Sequence, residues 1–144
     1  MKLVKHILAT KGDEIWSIEP GDTVLNAIKM MAERGIGALL VMQGNDLTGI
    51  ISERDYARKV ILQGRASDST AVREIMTDKV FSTDPDRSVE DCMSVMTNHR
   101  IRHLPVVDGG SVVGVLSIGD LVKAKIEEQE HHIEQLQNYI TTAS

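Results

Sequence analysis

Aromatic side chains are scarce in this chain, at 3% of 144 residues, so packing falls to its seven Met and its many Val, Ile and Leu. A single cysteine, Cys92, rules out an internal disulfide framework and fits a reducing compartment. No apolar stretch approaches the ~20 residues of a membrane span, and no signal peptide opens the chain, which places the protein in the cytoplasm, away from membranes. A net charge of −5 argues against nucleic-acid binding driven by phosphate neutralisation. Catalytic signatures are missing too. There is no P-loop and no nucleophile motif, and Gly35-Ile36-Gly37 fails as a dinucleotide fingerprint because Leu40 stands where the third glycine belongs. These absences describe a non-enzymatic globular protein, and 42% hydrophobic with 26% charged residues is ordinary for one.

What the chain does contain is a repeat. Shifted by 65 residues, Trp16-Ser17-Ile18-Glu19-Pro20 falls on Phe81-Ser82-Thr83-Asp84-Pro85 without a gap up to Tyr56. The run Ile36–Val41 falls on Ile101–Val106, and Gly49-Ile50-Ile51-Ser52-Glu53-Arg54-Asp55 on Gly114-Val115-Leu116-Ser117-Ile118-Gly119-Asp120. Val4-Lys5-His6-Ile7-Leu8 echoes Val72-Arg73-Glu74-Ile75-Met76 at a shift of 68, each a helical turn with one apolar face. A copy that cannot bury its apolar face alone must pack on its twin, so functional places should come in pairs about a pseudo-twofold.

Each copy reads as β-α-β-β-α. Asp22-Thr23 caps a helix from Val24 that Gly35 ends; Ile36–Met42 and Leu47–Ile51 are strands about a turn; a second helix runs from Ser52 to about Leu62. The second copy repeats this, with an opening strand near Phe81–Thr83 and helices from Val89 and Ser117. The fold class is α/β (α+β). Residues 1–63 form the first motif with its lead-in helix, 64–71 a polar linker, 72–126 the second motif, and 127–144 a carboxy-terminal helix. In that last segment Val122, Ile126, Gln129, Ile133, Leu136 and Ile140 keep the spacing of a heptad seam. The seam either lies back on its own module or pairs two chains; so long an extension favours a homodimer. Cys92 falls on Ala27, on an apolar helix face, and reads as a buried small hydrophobe.

Two constellations carry chemistry. Ser52/Asp55 and Ser117/Asp120 each have the spacing of a capping box, which satisfies free helix amides. An acid at a helix's first turn can also accept two hydrogen bonds from a ribose diol, and the two roles are compatible. The basic cluster His99-Arg100-Ile101-Arg102-His103 is either a solvated helix end or a phosphate site. His99 and His103 have a metal-like spacing, but the helix breaks between them, so no metal site is expected. His131 and His132 read as surface.

Taken together, the duplicated unit, the Val-x-x-Ile-Met lead-in, Arg102-His103-Leu104-Pro105-Val106-Val107-Asp108 and the doubled Gly-x-x-Ser-x-x-Asp resemble tandem CBS-domain proteins, in particular small stand-alone bacterial ones. The resemblance implies two motifs joined through their sheets, and clefts that bind AMP, ADP, ATP, NAD(H) or S-adenosylmethionine. It implies no required cofactor, and a regulatory role toward an unknown partner protein. By the same resemblance, Asp55 and Asp120 grip ribose with Ser52 and Ser117 beside them. Ser17, Ile18, Ser82 and Thr83 line adenine, and Ile36, Gly37, Ala38 and Ile101 add walls. Arg102 and His103 contact the phosphate of a nucleotide held by Asp55. Gly37-Ala38 stands where Arg102-His103 stands, and Arg54 where Gly119 stands, so the two clefts are expected to differ, the one at Asp120 lacking that pair's charge. The alternative is a structural dimer with vestigial clefts.

Overall fold

A computed structural model describes residues 1–12 and 14–143 and divides the chain into two compact units, Glu14–Phe81 and Met1–Asp13 with Ser82–Ser144. The division in space therefore departs from the order along the chain. The lead-in helix α1 (Val4–Lys11) joins the second repeat, and α4 (Val72–Ile75) joins the first.

The contiguous unit contains β1 (Ser17–Ile18), α2 (Val24–Arg34), β2 (Ala38–Gln43), β3 (Asp46–Ser52), α3 (Glu53–Tyr56) and α4. Its sheet has the order β1-β2-β3, with β1 parallel and β3 antiparallel to β2. Alternation along strands and helical spacing along α2 gather Ile18, Val24, Ala27, Met31, Leu39, Val41, Ile51, Val60, Val72 and Ile75 into one core. Thr23 caps α2 by accepting from the Asn26 amide, and Gly35 closes it in the left-handed region at φ 63°. The polar segment after Gln63 is tied down: Ser67 and Thr70 carbonyls accept the Leu25 and Val24 amides, which a helix start would otherwise leave free.

The other unit repeats this plan with α5 (Val89–His99), β4 (His103–Asp108), β5 (Ser111–Ser117) and α6 (Ile118–Ala143). Its core is Val4, Ile7, Val89, Cys92, Met96, Leu104, Val106, Leu116, Leu121 and Ala124. Cys92 is 1% exposed and burial pushes its thiol up, as a packing residue should behave. Even the register shifts recur, between Val41 and Met42 and between Val106 and Val107.

Two expectations change. The second copy has no opening strand, only a parallel bridge from Thr83 to Val106. Pro105 explains this. It occupies the place of Leu40, whose amide donates to the Trp16 carbonyl at 3.2 Å, and proline has no amide to donate. The helix after Ser52 is also broken: α3 gives way to a π turn at Ala57–Ile61, with the Leu62 amide donating five residues back to Ala57. The helix break expected between His99 and His103 is present, and Arg100, opposite Gly35, makes that corner in the left-handed region at φ 55°.

The heptad seam of α6 is left partly open, increasingly so toward its end. Leu121 and Ala124 point into the core, whereas Val122, Ile126, Ile133, Leu136 and Ile140 are 41–66% exposed.

Each lead-in helix lies across a strand glycine. A Cβ on Gly49 would sit 2.7 Å from Met76 Sδ and 2.9 Å from the Thr77 carbonyl, which is itself bonded to the Ile50 amide. A Cβ on Gly114 would meet only the tip of Leu8, which can rotate away. Gly49→Ala should therefore cost about 2–3 kcal/mol and Gly114→Ala about 1 kcal/mol, the upper and lower ends of overpacking costs. Urea denaturation of the two variants checks the order.

Candidate functional site

The two Ser-x-x-Asp pairs sit where a strand becomes a helix. Ser52 Oγ accepts from the Asp55 amide at 3.1 Å, while Asp55 Oδ2 accepts from the Ser52 amide and hydroxyl, both at 3.0 Å. In the other unit Ser117 Oγ accepts from the Asp120 amide at 3.1 Å and Asp120 Oδ2 from the Ser117 amide at 2.8 Å. Both are reciprocal capping boxes, as their spacing predicts. In each, the capping bonds to the acid fall on one carboxylate oxygen, so the cap leaves the lone pairs of Oδ1 unused.

Beside each box stands the start of the neighbouring strand. Ala38 lies opposite Ser52, and the Gly37 carbonyl accepts the Glu53 amide at 3.1 Å. At the equivalent place His103 lies opposite Ser117, and the Arg102 carbonyl accepts the Ile118 amide at 2.8 Å. Within their own unit, then, Arg102 and His103 neighbour Ser117 and Asp120. Burial first, then the Lys11 charge, holds the His103 imidazole below its usual value, so at neutral pH it offers a neutral N–H. Arg102 is exposed, as is Arg54 on α3.

The remaining expected residues are more dispersed. Ile18 is a core residue at 6% exposure, whereas Ser17 is exposed. Ile36 and Ile101 pack against the two cores. Ser82 and Thr83 line an open hollow of about 350 Å3 with Asp84, Arg87, Asp91 and Cys92, and Thr83 Oγ1 accepts from the Cys92 thiol at 3.4 Å.

Sequence reasoning missed two lysines. Lys59 Nζ lies 3.2 Å from Asp55 Oδ1 and donates to the Ile75 carbonyl of α4 at 2.9 Å. Lys11 Nζ, at the end of α1, donates to Asp120 Oδ2 at 2.5 Å and to the Val115 carbonyl at 2.6 Å. Each lysine ties an acid helix to a lead-in helix, but from opposite ends. Lys59, four residues after its acid on a helix, had a signal in its spacing. Lys11 is 109 residues from Asp120 and had none. Asp120 thus has a cation on it that the Gly37-Ala38 comparison gave no reason to expect.

The CBS domain family matches residues 4–61 and again 72–127. The chain belongs to the CBS-domain family. It is similar to a putative signal-transduction protein with CBS domains from Burkholderia ambifaria, at 53% identity and a TM-score of 0.86, over 89% of this chain and 96% of that one. Among curated relatives it is 44% identical, over 83% of its length, to the mitochondrial CBS domain-containing protein CBSX3 of Arabidopsis thaliana. The chain spans 60% of that relative's length. The CBS domain pair of protein MJ0100, solved in complex with 5′-methylthioadenosine and S-adenosyl-L-methionine, is 26% identical with a TM-score of 0.79, over 89% of this chain and 98% of that one. The two mixed α/β units are thus those of a tandem CBS protein, and α6 runs on past the second match. Among the described residues no helix is long and apolar enough to cross a membrane, and no group of three or more His, Cys, Asp or Glu is placed to hold a metal.

Burial pushes the Asp120 carboxyl up, but the Lys11 hydrogen bond and the Ser117 amide outweigh it and hold the group below its ordinary value of 3.8. A carboxyl depressed by folding adds stability above its unfolded value and loses it as the pH falls through the folded one. Asp120→Asn should therefore destabilise at pH 7, where a partly exposed pair contributes about 0.5–1 kcal/mol. The difference from wild type should shrink below the ordinary aspartate range. Chemical denaturation at neutral and acid pH gives both values, and a difference that does not shrink in acid would remove the ion pair from the account.

Proposed function

We propose that this CBS pair is a sensor that binds an adenosine nucleotide and passes its ligand state to a partner protein. The observation that carries the reading is the doubled box, in which a fixed carboxylate at a helix start keeps one oxygen clear of its cap. That oxygen can accept a ribose hydroxyl, with Ser52 or Ser117 beside it. The MJ0100 pair supports the ligand class, because adenosine is the part shared by its two ligands. On this reading Asp55 and Asp120 hold ribose. Arg102 presents a planar fork of donors to phosphate, and neutral His103 adds a single N–H. The side chains of the boxes serve holding rather than bond-breaking, so the role is regulatory.

Adenosine, AMP, ADP, ATP, NAD(H) and S-adenosylmethionine should be screened by melting-point shift on ligand-stripped protein. A ligand at 100 times its Kd stabilises the fold by ~2.7 kcal/mol, roughly 5–10 °C at this size. Asp55→Ala should lose the part of the shift that depends on its box, at a capping cost of about 1 kcal/mol. Asp55→Ala/Asp120→Ala should lose all of it. If no adenosine compound moves the wild-type curve, the sensor reading fails, and a purely structural role takes its place.

The exposed seam of α6 supports a second element of the proposal, that two chains pair through Val122, Ile126, Ile133, Leu136 and Ile140. Removing residues 127–144 should turn a dimer into a monomer in sedimentation while the melting transition of the units persists. A shortened chain that still sediments as a dimer places the contact elsewhere.

A further inference from the structure

The cation at Asp120 is supplied by a residue from outside its repeat. In the first repeat the acid's partner is Lys59, on the same helix one turn on. The equivalent position in the second repeat is Ala124, which is buried in the core and brings no charge. Lys11, from the end of α1, places an ammonium on the acid instead. Each acid thus has an ammonium beside it, drawn from unrelated positions and set on different oxygens, Oδ1 of Asp55 and Oδ2 of Asp120.

The chemistry of the rebuilt site differs from that of a simple surface pair. The Lys11 ammonium has three donors, of which Asp120 Oδ2 and the Val115 carbonyl take two. The second of these bonds anchors it to β5, two residues before the box, so its position is fixed by backbone as well as by charge. Lys11 and Asp120 side chains are 39% and 24% exposed, so the pair meets solvent. A ribose held by Asp120 would bring its 5′ substituent within the reach of one sugar from the carboxylate. An unneutralised carboxylate repels a phosphate there and attracts a cation. With Lys11 bonded to it, the box is neutral and has a donor left over.

We infer that Lys11 makes the Asp120 box selective for adenosine ligands that carry phosphate, and turns it away from the cationic S-adenosylmethionine. The inference rests on the reading that Asp120 holds ribose. His103 strengthens it, because that imidazole is neutral and leaves the Lys11 ammonium as the full charge in direct contact with the acid. The two lysines are therefore not equivalent: Lys59 spends its second bond on α4, whereas Lys11 turns both of its bonds to the strand and helix that make the box.

The test uses the full-length chain carrying Asp55→Ala, so that ligand binding reports on Asp120. Calorimetric titration with adenosine, AMP and S-adenosylmethionine is compared for this protein and for its Lys11→Met and Lys11→Arg derivatives. AMP should bind at least 10-fold tighter than adenosine. Lys11→Met should shrink that ratio by roughly 10- to 150-fold, the value of a hydrogen bond to a charged group. Lys11→Arg, which keeps the charge, should retain most of the ratio. Equal losses for AMP and adenosine in Lys11→Met would show that Lys11 only positions Asp120, and would overturn the inference. So would S-adenosylmethionine binding as tightly as AMP before Lys11 is changed. Failure of the underlying reading looks different: adenosine then does not bind at all, or binds as well after Asp120→Ala, and the inference falls with it.

Discussion

In both units the turn from strand to helix is closed by one carboxylate oxygen, Oδ2 of Asp55 or of Asp120, which accepts the amide of the serine three residues before it. The serine hydroxyl oxygen in turn accepts from the aspartate amide. This reciprocal pair fixes where the helix starts, satisfies amides that have no helical partner, and holds the acid in one orientation without help from a ligand. The neighbouring strand then enters through a main-chain bond from the next residue, Glu53 to Gly37 or Ile118 to Arg102. Strand, acid and helix are thereby fixed by the chain itself, which would keep the ordering cost of the proposed binding low.

A second constraint acts at a glycine in the middle of β3 and of β5. The lead-in helices can lie close to β3 and β5 because Gly49 and Gly114 have no side chain, and Met76 and Leu8 fill the space. Lys59 and Lys11 then lock the same helices to the acids. Packing and charge bring the same two elements together, and the repeats differ in which element carries the lysine. That difference follows from the helix itself. In the first repeat the π turn at Ala57–Ile61 brings Val60 into the core, leaving Lys59 at the surface. In the regular α6, Leu121 and Ala124 take the inner places.

Most of the fold was legible in the sequence because two copies of one pattern agree. The gap-free match from Trp16 to Tyr56 gave the strands and helices, and the lead-in echo gave α1 and α4. Failures came where a residue acts through the backbone or over a long distance. Pro105 satisfies the apolar pattern but removes the amide that the opening strand needs. The π turn leaves no trace in hydrophobic spacing. The boxes were readable from Ser-x-x-Asp alone, since a cap is a local structure. Lys11 was invisible, because nothing in a linear pattern says that the end of α1 will meet a residue near the far end of the second repeat.

The assignment of α1 to the second repeat also sets a timetable for the chain as it is made. Glu14–Phe81 is one uninterrupted stretch, and it can fold as soon as it has left the ribosome. The unit that contains residues 1–13 cannot, because its strands, α5 and α6 all follow residue 81. At about 5–20 residues per second, α1 must wait several seconds or more for the surface it covers. During that time Val4 and Ile7, both buried at the end, have no partner. Polar and charged neighbours such as Lys2, Lys5, His6 and Lys11 keep this short segment soluble while it waits. Contacts such as Val4 to Arg87 then close over more than half the chain, which makes this unit the slower of the two to fold.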